Sequence, residues 1–109
     1  VARSRLRRSM NLFEITTALG VKIVLDEGRW KILVDKHPDM VDRVEDVRRT
    51  LLAPDTVRFS KYSPSTYLYY RREHSMLFTC VVVRYNPGDD GFIATTYRTD
   101  RINAGIDAR

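Results

Sequence analysis

Cys80 is the one cysteine in the sequence, so no disulfide can form within the chain. It lies inside the apolar run from Phe78 to Val83, where a small buried thiol is the plain reading rather than a nucleophile. With two histidines and that single cysteine, no Cys/His spacing for zinc can be assembled, and there is no acidic calcium loop. A metal or other cofactor is therefore not expected. No apolar run approaches the length that crosses a bilayer, and no charged-then-apolar leader opens the chain. We expect no membrane partner and a cytoplasmic location. Internal repeats and low-complexity segments are also missing.

What is present is ordinary globular material. Hydrophobic residues make up 43% and charged residues 30% of 109 positions, which excludes a disordered chain and is enough for one core without staples. The net charge is +5, a balance that fits an anionic partner such as nucleic acid. Arg3, Arg5, Arg7 and Arg8 supply four of those charges, so the body of the chain is close to neutral. An anion site must then come from local clustering, for which Arg71, Arg72, Arg84, Arg98 and Arg101 are candidates. The expected organisation is a basic extension over residues 1–20 and a single domain over 21–109. A chain that opens on Val1 is also expected to be part of a larger parent polypeptide.

Residues 12–19 admit either a short strand or the start of a helix. Val21–Leu25 reads as a strand, and Asp26 as the N-cap of a helix to about Lys36. Trp30, Leu33, Val34 and His37 then share one helical face. Pro38 breaks this helix and suits the first turn of the next, which should run to about Leu52. Its stripe is Val41, Val44, Val47 or Arg48, and Leu51, with Glu45 and Arg49 paired on the wet side. Beyond Thr56 the pattern turns to strands: Val57–Lys61, Thr66–Arg72, Leu77–Tyr85 and Phe92–Thr99. Ser63–Ser65, Glu73–Ser75 and Asn86–Gly91 supply the turns. Short turns imply an antiparallel meander, and the fold class is α+β, two helices packed on one face of a four-stranded antiparallel sheet.

Strand alternation puts Ile93, Thr95, Tyr97 and Thr99 on one face of the last strand, and Phe92, Ala94, Thr96 and Arg98 on the other. In the second strand of the meander Tyr67, Tyr69 and Arg71 share a face. His37 is either a core histidine held by a hydrogen bond or an acid–base group, and the pattern admits both. His74 falls in a turn and is expected to be solvated. If Arg71, Thr95 and Tyr97 meet near His37, the chemistry they suit is RNA cleavage without a metal. The ribose 2′-hydroxyl attacks its own phosphate, a base takes that proton, an acid protonates the leaving oxygen, and arginine steadies the phosphoryl charge. Tyr69, Lys61, Arg84 and Arg98 are the candidate substrate contacts, Arg98 from charge alone.

From about Val21 to Ile102 the chain resembles the phage-associated branch of the barnase–EndoU–colicin–RelE-like nucleases, the BECR fold. The resemblance rests on Trp30 leading into His37-Pro38, a second helix closed by Ala53-Pro54-Asp55, Tyr69-Tyr70-Arg71, and Thr95-Thr96-Tyr97 before Thr99-Asp100. It implies a BECR-like fold and ribonuclease activity of the toxin or phage-effector type, with RNA as substrate and an inhibitory antitoxin or immunity-type protein as partner. Position by position it places the helix-end histidine on His37, the strand arginine on Arg71, and the terminal Thr-x-Tyr on Thr95 and Tyr97. Thr96 stands where a small apolar residue is usual. The alternative is a non-catalytic RNA-binding or protein-interaction module of a larger phage-related protein.

Overall fold

The computed structural model describes residues 10–74, 76–86, 88–102 and 106–107. The arginines of residues 1–9, and Ser75 and Pro87 in the expected turns, lie outside them. The chain opens on a hairpin, β1 (Asn11–Thr16) and β2 (Lys22–Asp26), and continues through α1 (Glu27–Lys36), a 3₁₀ turn (Pro38–Met40) and α2 (Val44–Leu52). There follow β3 (Thr56–Phe59), β4 (Thr66–His74), β5 (Leu77–Arg84), β6 (Phe92–Thr99) and the two-residue β7 (Ile106–Asp107). The fold is α+β. β3 to β6 form the antiparallel meander, β7 adds to the far side of β3, and the order across the sheet is β6-β5-β4-β3-β7. β5 is thus interior and β6 an edge.

The expected cap is in place: Asp26 accepts the Arg29 backbone N–H at 2.7 Å, and Glu27 opens the first turn of α1. The second helix starts later than its pattern implied. Pro38–Met40 makes only a 3₁₀ turn, and Asp42 then takes φ 65°, a left-handed conformation that no helix can carry through. Val41 is consequently outside the stripe and exposed, while Val47, Thr50 and Leu51 at i, i+3 and i+4 are buried. Glu45 and Arg49 form their expected pair at 3.2 Å on the solvent side.

One continuous core joins Phe13, Val21, Ile23 and Leu25 of the hairpin region to Leu33, Val47, Leu51, Val57, Tyr69, Val81, Val83 and Ile93. α2 packs on β4, β5 and β1, whereas α1 rests mainly against β2 and the 3₁₀ turn. Residues 11–20, grouped by the sequence with the basic extension, therefore belong to the body: Phe13 is in the core and Thr17 hydrogen-bonds the Tyr69 hydroxyl at 2.8 Å. Fully burying such a side chain contributes about 1.5–3 kcal/mol. The hairpin is joined to the large sheet at Gly91, whose N–H donates to the Lys22 carbonyl at 3.0 Å. A Cβ on Gly91 would stand 2.7 Å from Val21 Cγ1 and 3.0 Å from Ile23 Cδ1, so only glycine permits this approach.

Two bulges reset the faces of the sheet. In β6 the register passes from Thr95 opposite Val82 to Ile93 opposite Val83, leaving Ala94 as the extra residue. Ile93 is thereby turned to the core with Thr96, and Phe92 joins Thr95 and Tyr97 on the opposite face, correcting the simple alternation. In β4 the register passes from Arg72 opposite Phe78 to His74 opposite Leu77, with Glu73 as the extra residue. Glu73 and His74 are in the strand, where the sequence had a turn; His74 is exposed as expected.

Candidate functional site

His37 closes α1. Its N–H still bonds back to the Leu33 carbonyl at 3.0 Å, Pro38 prevents another turn, and its own carbonyl accepts the Met40 N–H at 2.9 Å. This fixes the backbone and leaves the imidazole half-buried against β6, its ring centroid 5.6 Å from that of Tyr97 at a 39° tilt. Among the described residues nothing hydrogen-bonds to the imidazole.

Tyr97 lies opposite Cys80, which lies opposite Tyr70, so these three share a face. Burial pushes the Cys80 thiol up to about 12, against hydrogen bonds from Tyr97 and Tyr70 that pull the other way. It is an inert core thiol. Thr95, half-buried opposite Val82, follows Tyr97 on the same face, and exposed Arg84 opposite Phe92 comes next. On the other side of Tyr97, one row along, are Phe78 and Arg72, whose guanidinium lies 4.8 Å above the Phe78 ring. His37, Tyr97, Thr95, Arg84 and Arg72 are therefore arrayed on or beside one sheet face.

Arg71 is not with them. It pairs with Thr79, which pairs with Arg98, and that row turns to the reverse face, toward α2. There Glu73 is the centre. Its carboxylate accepts Arg98 Nε at 3.1 Å and Nη2 at 3.1 Å, Arg43 Nη1 at 3.2 Å and the Thr79 hydroxyl at 2.8 Å. Burial alone would raise the Glu73 carboxyl, but the Arg98 and Thr79 hydrogen bonds and the two arginine charges outweigh it and hold the group below the ordinary carboxylate value. Arg43 also pairs with Asp46 at 3.0 Å. Arg98, a candidate substrate contact by charge, is thus committed to an internal pair, and its backbone N–H donates to Asp39 Oδ2 at 3.3 Å.

Tyr69, the other aromatic candidate, has no exposed surface. Burial raises its phenol, and its hydroxyl is spent on Thr17. Lys61 is exposed in the β3–β4 turn, beside the aromatic end of the sheet. At that end Phe59, Tyr67 and Tyr85 stand in series with centroid separations of 5.1 and 5.3 Å. Sequence reading overlooked Glu73, because Glu-His-Ser before an apolar run looks like a turn, and named Arg72 only among the arginines that could cluster around an anion. Among the described residues no group of three or more His, Cys, Asp or Glu side chains could hold a metal ion. Among the described residues no helix is long and apolar enough to cross a membrane. Compared with protein-family models, curated proteins and solved structures, the chain matches none.

Proposed function

We propose that this domain is an endoribonuclease that cleaves RNA without a metal, by attack of a ribose 2′-hydroxyl on the adjacent phosphate. The observation that carries the reading is the half-buried His37 imidazole, free of hydrogen bonds to the described residues and set against the Tyr97 ring. One of the pair removes the 2′-hydroxyl proton as the oxygen attacks phosphorus. The other gives a proton to the 5′-oxygen as the P–O bond breaks, leaving a 2′,3′-cyclic phosphate and a 5′-hydroxyl. Thr95 holds a phosphoryl oxygen. The stabilising arginine is Arg72 in this reading, because it is on the Tyr97 face, and Arg71, which the resemblance favoured, is on the other. Two helices followed by an antiparallel meander support a BECR-like fold with its helices to one side of the sheet. In such a protein the activity is that of a toxin or phage effector, working on RNA in the cytoplasm and held in check by an inhibitory protein.

Cleavage of RNA in EDTA, with cyclic phosphate ends identified on the products, is the direct measurement. His37→Ala should lower the rate by about 10²- to 10⁴-fold while the circular dichroism and melting profile stay those of the parent. Arg72→Ala should cost more activity than Arg71→Ala. Unchanged cleavage by the histidine variant would remove His37 from the mechanism. The pairing of Arg98 with Glu73 favours a second reading, a module that binds RNA without cutting it, since one expected phosphate contact is spent. Retained RNA affinity with intact RNA at every pH would select that reading.

A further inference from the structure

At the end of the sheet away from His37, two adjoining hollows flank Tyr85 and the Pro64-Ser65 turn. One, of about 290 Å³, is walled by Phe59, Tyr67 and Tyr85; the other, of about 260 Å³, by Tyr85, Arg84, Asn86 and Phe92. Tyr67 and Tyr85 are stacked at 24°, and Phe92 is exposed with the Arg29 guanidinium 5.7 Å from its ring centre. Aromatic side chains that only fill a core leave little space beside them. Here flat aromatic walls border open volume, with exposed Arg84 at the margin and the Ser65 hydroxyl bonded to Asn86 Oδ1 at 3.1 Å along the rim. An exposed lysine, Lys61, is in the same β3–β4 connection as Pro64 and Ser65.

We propose that these hollows form a second substrate subsite, which takes an unpaired nucleobase of an RNA strand by stacking on Tyr85, with Arg84 against the backbone phosphate. The inference rests on reading the domain as one that acts on RNA. Base stacking on an aromatic platform with an adjacent cation is the general means of holding a single strand without reading its sequence. Position supports it. Tyr85 stacks on Tyr67, which is on the reverse face of the sheet, but Arg84 and Phe92, which wall the hollow beside it, are on the same face as Tyr97 and Thr95, and Arg84 is four residues along β5 from Cys80, the partner of Tyr97. At the strand rise that is about 13 Å, too far for the bases flanking the cleaved bond and suited to one further along. The Tyr85 phenol, raised by burial and by its hydrogen bond to Tyr67 to about 12, stays neutral and serves as a surface.

The test compares a dinucleoside monophosphate with hexanucleotides of each base as substrates for the full chain. A working subsite makes the hexanucleotides better substrates, and Tyr85→Leu lowers the ratio of hexanucleotide to dinucleotide kcat/KM by about 5- to 100-fold. Phe92→Ser, at an exposed position, should lower it in the same direction and covers the case in which the tyrosine variant folds poorly. A ratio unmoved by both variants overturns the subsite and leaves the ribonuclease reading standing. If no substrate is cut, hexanucleotide affinity by fluorescence anisotropy decides. A comparable loss of affinity in both variants keeps the subsite without the enzyme, and equal affinity overturns it.

Discussion

Glu73 links the stability of the fold to acid pH. It is held charged by Arg98, Arg43 and Thr79, so the folded state binds its proton less readily than the unfolded chain does. The stability this supplies is complete above the unfolded value near 4.5 and is lost as pH falls through the lower folded value. Urea unfolding should show Glu73→Gln costing about 1–3 kcal/mol at pH 7 and losing less than the parent between pH 5 and 3. Equal acid slopes would mean that other carboxylates govern the acid limb. Cys80 works at the opposite end. Its thiol ionises from 9.0 in the unfolded chain and only at about 12 in the folded one, so stability falls as pH rises between those values. Iodoacetamide should accordingly leave the native thiol unmodified at pH 8 and react once urea unfolds the chain, which mass spectrometry reads directly. Rapid native alkylation would place Cys80 outside the core.

Among the elements, the most exacting contact is the one between the hairpin and the β5–β6 turn. Gly91→Ala would drive a methyl to 2.7 Å from the Val21 side chain. It should destabilise the domain by about 1–3 kcal/mol, measured as a shift in urea midpoint at constant slope; a neutral result would mean that the hairpin moves aside freely. Elements with strong local punctuation were legible in the sequence: α1 from the Asp26 cap to the Pro38 stop, and β6 from end to end. What stayed hidden were features without a local signal. The bulge residue of β6 is Ala94, no glycine marks it, and it moves Phe92 from one face to the other. Asp42 ends a helical pattern by a positive φ that its residue type tolerates but does not announce. The pairing of β1 was open because Leu12–Leu19 carries both strand and helix spacing, and only the long-range contact with the core selects the strand. At the candidate site, the shared face of Thr95 and Tyr97 could be read from strand alternation, while the partners of Arg98 could not, because they depend on a bulge.

At the scale of the whole molecule, a chain with net charge +5 distributes its arginines between two sheet faces with different occupations. On the α2 side, Arg43 and Arg98 are neutralised by Glu73 and Asp46. On the Tyr97 side, Arg84 is exposed and Arg72 lies over an aromatic ring. The charge that each face presents is thus shaped by internal pairing as well as by the count of basic residues.

β6 gives the fold a further property. A border strand offers unpaired N–H and C=O groups to any other strand that meets it, which is the usual route to sheet-to-sheet aggregation. Here the border is occupied from within. Arg29 donates through Nε and Nη2 to the Ile93 carbonyl at 3.1 and 2.9 Å, and Asp39 takes the Arg98 N–H. Both come from the segment of chain that also carries His37. The Arg29→Ala, Asp39→Ala double variant should remain folded yet associate with rising concentration, as sedimentation velocity would record. A monomer at all concentrations would mean that these side chains do not guard the strand. The segment that presents the histidine thus also occupies hydrogen-bonding groups along the free edge of β6.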